Sequence, residues 1–215
     1  MGSGRDAIIA TDYWGLTTRS TGHFAAVQVW ASFHSRPNPA CRKMPVSSNV
    51  RRHTMPIPNH IATFWQDFVA TLSVDPTPRF LEAFFFDDNE VSANELAELV
   101  LSGRKRVTAG LLWAFESAGV SIPRSGHLSV VTNFAREPQC VIETIQVDLV
   151  PFELVSAEFA TVEGEGDGTL EYWRSAHTAY FGRECKRIGR TPEPFMPVVC
   201  ERFEVIYRCT AKSAA

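Results

Sequence analysis

The sequence predicts an α+β fold for residues 55–215, with a mostly antiparallel sheet curled into a small barrel and flanked by helices. Helical and strand-like stretches interleave there without the regular βαβ spacing of a doubly wound sheet. The two clearest strand patterns, 127–132 and 140–150, are rich in β-branched residues and separated only by a turn at 133–138. The chain has 215 residues, 45% hydrophobic and 21% charged, which suits one globular domain able to bury roughly 70% of its unfolded surface.

Residues 1–54 stand apart. Arg5, Arg19, Arg36, Arg42, Lys43, Arg51 and Arg52 face only Asp6 and Asp12, a net of +5, whereas the remainder carries −8, for a formal total of −3. The one apolar run, Phe24–Phe33, stops at Arg36-Pro-Asn-Pro39. An acid-poor leader containing Arg and Ser fits an organelle transit segment, an unstructured extension, or sequence upstream of a start at Met55. Met55 opens Met-Pro-Ile-Pro just before the first clear helical pattern, which favours the last two. Residues 1–54 are therefore expected to be a basic, disordered extension without a core.

Within the domain, Ile61, Phe64, Trp65, Phe68, Val69 and Leu72 form one helical face before Pro76 and Pro78 break it. Phe80–Phe86 is a short apolar segment closed by Asp87-Asp-Asn89. Ser92-Ala-Asn-Glu95 reads as a capping box opening a helix with Leu96, Leu99 and Val100 as its stripe and Gly103 just past its end. Val107–Trp113 is a strand, or a strand running into a short helix; periodicity does not decide. After the two central strands, Glu163–Gly168 reads as a flexible acidic loop. It leads into a helix over Leu170–Cys185 with Leu170, Trp173, Ala176, His177, Tyr180 and Phe181 on one side. Val198–Cys209 alternates as a final strand.

Several classes are excluded. No apolar run of about 18 residues is present to span a membrane, and the near-neutral balance argues against a duplex-DNA binder. Five cysteines, at 41, 140, 185, 200 and 209, include no Cys-x-x-Cys pair, which argues against a zinc site or a disulfide framework and for a reducing, cytoplasmic compartment. No metal or cofactor is predicted.

The segment with the most chemistry is Ser102-Gly-Arg-Lys-Arg-Val-Thr108. Its three basic residues complement the negative end of the preceding helix. If Lys105 instead turns inward, burial would lower its pKa towards that of a base, with Thr108 as the activated hydroxyl. Gly103-Arg-Lys-Arg-Val-Thr108 resembles the Gly-x-Lys-x-x-(Glu/Thr) motif of the activating signal cointegrator homology (ASCH) domain. Leu96–Lys105, Cys140–Thr144, Glu163–Asp167, Tyr172-Trp-Arg174 and Met196–Phe203 extend the similarity to bacterial stand-alone ASCH proteins over essentially all of 60–208.

The resemblance implies a PUA-like β-barrel with a cleft for a modified nucleobase or nucleoside, or for single-stranded RNA. Small bacterial members include amidohydrolases of N4-acylated cytosine nucleosides, and RNA cleavage is also found in the family. Carried over, the catalytic Lys is Lys105, the Thr is Thr108, and the Glu is Glu163 or Glu165. The family pattern often has an Arg two residues past the Thr; here that position is Gly110. The implied function is an amidohydrolase, with an RNA-binding module, with or without ribonuclease activity, as the alternative.

Substrate-binding candidates complete the set. Arg104 adjoins the motif. Glu143 lies in a strand, where it faces solvent or the cleft. Asp167 caps the late helix or meets substrate. Trp173 packs in the core or offers a face for base stacking, with His177 beside it. Arg183, Lys186, Arg187 and Arg190 form either a solvated face or an RNA-backbone contact. Nothing in the sequence sets an oligomeric state.

Overall fold

The protein was analysed as a computed structural model that describes residues 56–208; the extension expected to be disordered, 1–54, lies outside the described residues. In chain order the elements are α1 (Ala62–Val69), β1 (Phe80–Phe84), α2 (Glu90–Leu101), β2 (Val107–Leu111) and α3 (Leu112–Ala118). There follow β3 (Leu128–Thr132), β4 (Pro138–Pro151), α4 (Ala157–Glu163), α5 (Leu170–Arg187) and β5 (Pro197–Arg208). None of these helices is long and apolar enough to cross a membrane.

The strands form one sheet in the order β1-β3-β4-β5-β2, with β1 parallel to β3 and every other neighbour antiparallel. The α+β, mostly antiparallel prediction holds. The closed barrel does not. Among the described residues β1 and β2 are edge strands that do not pair with each other. Side chains bridge the gap instead: the Lys105 ammonium, just before β2, lies 5.2 Å from the centre of the Phe86 ring, just after β1.

Strand alternation distributes the core over both sheet faces. On one face, α1 places Phe64, Trp65 and Phe68 against Leu128, Val130 and Val141. On the opposite face, α2 places Ala97 and Val100 against Val131, Ile142 and Phe203. At the β5–β2 end, Leu111, Val198 and Cys200 pack against Trp173 and Phe181 of α5. Cys140, Cys185 and Cys200 are buried free thiols.

Two local expectations change and one open alternative is resolved. Helix α2 starts earlier than the Ser92 capping box: Asn89 is the N-cap and accepts the Ser92 amide at 2.9 Å, while its own side-chain amide is braced by Asp87. The ambiguous 107–113 segment is a strand running directly into a helix. The acidic loop is shorter than expected, because Ser156 caps an unforeseen helix, α4, by accepting the Phe159 amide at 3.1 Å. An N-cap side chain satisfies an amide that the helix cannot. Asn89→Ala and Ser156→Ala are each expected to lower stability by about 1 kcal/mol, read from urea unfolding midpoints.

Candidate active site

Lys105 owes its position to the end of α2. Gly103 adopts the left-handed conformation (φ 76°) that terminates the helix, and the Lys105 amide donates back to the Leu99 carbonyl at 3.0 Å. The side chain then turns inward and is 1% exposed. The end of α4 docks onto the same segment, with the Arg106 amide donating to the Val162 carbonyl at 3.2 Å. Gly164 follows with φ 69°, so close that a Cβ there would lie 2.8 Å from the Arg104 carbonyl oxygen. Helix α4 thereby delivers both acidic-loop glutamates to one ammonium. Lys105 Nζ donates to Glu163 Oε1 at 3.0 Å and to Glu165 Oε1 at 2.5 Å.

The two carboxylates are held differently. Glu163 is 1% exposed, and its Oε2 accepts the Trp173 indole N–H; His177 Nε2 lies 3.7 Å from the same oxygen. His177 Nδ1 faces the Trp173 carbonyl at 3.0 Å. That carbonyl can only accept, so Nδ1 carries the proton in this bond. Glu165 contacts only Lys105 among these groups, and its side chain is 18% exposed. One glutamate is locked and the other faces solvent.

Electrostatics correct the idea of a lysine poised as a free base. Burial pushes the Lys105 amine down, but Glu163 and Glu165 outweigh it and hold its pKa above the ordinary lysine value. Lys105 is a fixed ammonium.

The remaining candidates fall into two groups. Lys105, Glu163, Glu165, Trp173 and His177 converge. Thr108 does not join them: the Lys105 ammonium is engaged by the carboxylates, and Thr108 lies half-buried in β2 opposite Glu201 of β5. By strand alternation Thr108 points away from the face on which Ala109 and Leu111 pack towards Trp173. Trp173 offers no stacking face, because His177 stacks on it at 4.1 Å and Phe152 at 5.4 Å.

Three further candidates lie apart from Lys105. Arg104 is exposed and reaches only the Gly164 carbonyl, at 3.5 Å. Glu143 pairs with Arg79 at 2.5 Å on the β4 face opposite Ile142. Asp167 is exposed and braces Thr169, which is the actual N-cap of α5.

With this geometry in view, comparison with known proteins is decisive. The ASCH domain profile matches residues 82–207. The chain belongs to the ASCH domain family. It is 34% identical to the crystal structure of an ASCH domain from Lactobacillus crispatus JV V101, with a TM-score of 0.67 over 72% of this chain and 98% of that one. It is 29% identical to protein EF3133 from Enterococcus faecalis V583, with a TM-score of 0.61 over 69% of this chain and 89% of that one. No curated protein matches it.

This ASCH domain also buries a carboxyl that sequence reasoning did not single out. Glu201 is 9% exposed, and its Oε1 accepts the Thr144 hydroxyl at 2.6 Å. Burial raises its pKa, and the Thr144 bond offsets this only in part. The only sequence signal was its place in the apolar run Met196–Phe203.

Two outcomes are expected of this ASCH domain. Gly164→Ala forces a left-handed alanine, costing about 1–2 kcal/mol, and adds a clash with Arg104; thermal unfolding will read the loss. Folded Glu201 keeps its proton above the pH at which the unfolded chain releases it, so its burial weakens the fold as pH rises from 4.5 through the folded value. Chemical denaturation from acid to neutral pH is expected to show that Glu201→Gln removes this slope.

Proposed function

We propose that this ASCH domain hydrolyses the amide of an N4-acylated cytosine-type nucleoside. The observation that carries this reading is a buried ammonium clamped by one locked carboxylate and one that faces solvent. Such an ammonium is suited to stabilising negative charge that develops on an acyl oxygen, because it is already oriented and largely shielded from water. In this reading a water beside the solvent-facing Glu165 attacks the acyl carbonyl, and Glu165 takes its proton. Lys105 holds the carbonyl oxygen as it becomes anionic. The C–N bond then breaks, and the proton held by Glu165 passes to the departing N4 amine. The products are the carboxylic acid, which keeps the oxygen of the attacking water, and the free N4 amine, and Glu165 is left ionised as it began. Glu163, held by Trp173, keeps Lys105 in place.

A small neutral substrate suits the charge distribution better than a polyanion. Residues 55–215 carry a net −8. Of the basic residues near the end of α5, Arg183 is bound to Asp87 and Asp88, Arg187 to Glu184, and Arg190 lies over the Trp113 ring. An RNA-backbone site would need such cations free to meet phosphates.

The test is a purified-protein assay on N4-acetylcytidine beside a labelled single-stranded RNA. Glu165→Gln is expected to lower kcat/KM by at least about 100-fold, whereas Arg104→Ala and Arg106→Ala should change it little. Circular dichroism accompanies each variant. Lys105→Met leaves a buried carboxylate unpaired and is expected to lose about 3–5 kcal/mol of stability along with activity. RNA cleavage or binding without nucleoside turnover would replace this reading with the RNA-binding one.

A further inference from the structure

Glu201 is an unusual group to bury. Among the described residues no cation pairs with it; Oε1 takes the Thr144 hydroxyl, and Oε2 has no partner. A carboxyl left half-satisfied in the interior weakens the fold, and it leaves an acceptor oxygen able to meet a ligand. Its neighbours suggest one. The β2–β5 register sets Thr108 opposite Glu201 and Gly110 opposite Val199. Alternation then places Thr108, Gly110 and Glu201 on one sheet face. That face is covered only in part: Val199 and Phe203 are buried, whereas Thr108, Gly110 and Val147, the β4 partner of Glu201, are half-buried, and Leu149 is exposed.

The Phe115 ring reaches this face at Gly110. A Cβ at Gly110 would lie 2.8 Å from the edge of the Phe115 ring, so the missing side chain is what lets Phe115 lie against the strand. Gly110, against which the half-buried Phe115 ring lies, is two residues or roughly 7 Å along the strand from Thr108, a spacing on the scale of a pyrimidine and its substituent. Trp173, enclosed on both sides, offers no such surface.

We propose that Phe115, Gly110 and Glu201 form a base-recognition subsite beside Thr108, in which a pyrimidine stacks on Phe115 and its polar edge meets Glu201. This rests on the nucleoside reading of the site. The Glu201 carboxyl keeps one oxygen available as an acceptor beside the one that Thr144 engages. That oxygen complements the exocyclic N–H donor of cytosine, which survives N4-acylation. Thr144 fixes the carboxyl from behind.

Calorimetric titration of the full chain with cytidine and with 2-pyrimidinone riboside, which lacks the exocyclic amine, tests the subsite. The wild-type protein should prefer cytidine by about three- to tenfold. Glu201→Ala should abolish that preference, and Glu201→Gln, which keeps a donor and an acceptor, should retain it. Phe115→Ala should weaken both ligands by about fivefold or more with the preference intact. A wild-type preference that survives Glu201→Ala, or affinity unchanged in Phe115→Ala, overturns the subsite and leaves the nucleoside reading standing. A wild-type protein that binds neither nucleoside removes the nucleoside reading, and the subsite with it.

Discussion

The buried Lys105 ammonium is the constraint around which the rest of the structure is arranged. Taking an ammonium out of water costs several kcal/mol after relaxation, and no neighbour in sequence supplies a compensating charge. The partners come from 58 and 60 residues further along the chain. Their delivery requires α2 to end at Gly103, α4 to end at Gly164, and the two ends to dock by the bond from the Arg106 amide to the Val162 carbonyl. Glu163 in turn needs Trp173 and His177, which brings α5 into the same network. The ion pairs therefore tie the ends of α2 and α4 and, through Glu163, α5 to the start of β2, and removing any one of the charged groups would leave another unpaired.

This arrangement also sets what Lys105 can do. A lysine serves as a base when burial dominates and its proton is loosely held. Here two carboxylates reverse that balance, so the group is an oriented positive charge. Oriented charge in a water-poor site acts through electrostatics, stabilising an oxyanion without having to reorganise. Proton transfer falls instead to a group that meets solvent, and Glu165 is the one at this centre that does.

Much of this was legible in the sequence, for identifiable reasons. Strands β3, β4 and β5 and helix α5 carry long, unmixed patterns, and the Lys105 motif with its acidic partners followed from ordered similarity to the family. Helix α4 was missed because its seven residues give only two turns of periodicity, although Ser156 before it and Gly164 after it are the expected cap residues. Asn89 lost out to Ser92 because both are good caps and only the backbone conformation separates them. The open sheet was not foreseeable, since edge pairing depends on contacts remote in sequence. Glu201 was passed over because a glutamate in a strand carries no mark of burial; only the register opposite Thr108 and Val147 reveals its surroundings.

The separation of Thr108 from Lys105 bears on how the two could act together. Every charge at the centre is already satisfied, and the hydroxyl stands on a strand face turned from Trp173. A substrate that uses both must bridge them, with its base on the β2–β5 face and its acyl oxygen reaching the ammonium. To make room, one ion pair has to loosen. Glu163 is buried and held by Trp173, so opening that pair would strand a desolvated carboxylate. Glu165 has solvent beside it and no second partner among these groups, so water can take up its charge as it swings away. The asymmetry between the two glutamates thus makes the Glu165 pair the one that can open while the Glu163 pair keeps the ammonium aimed.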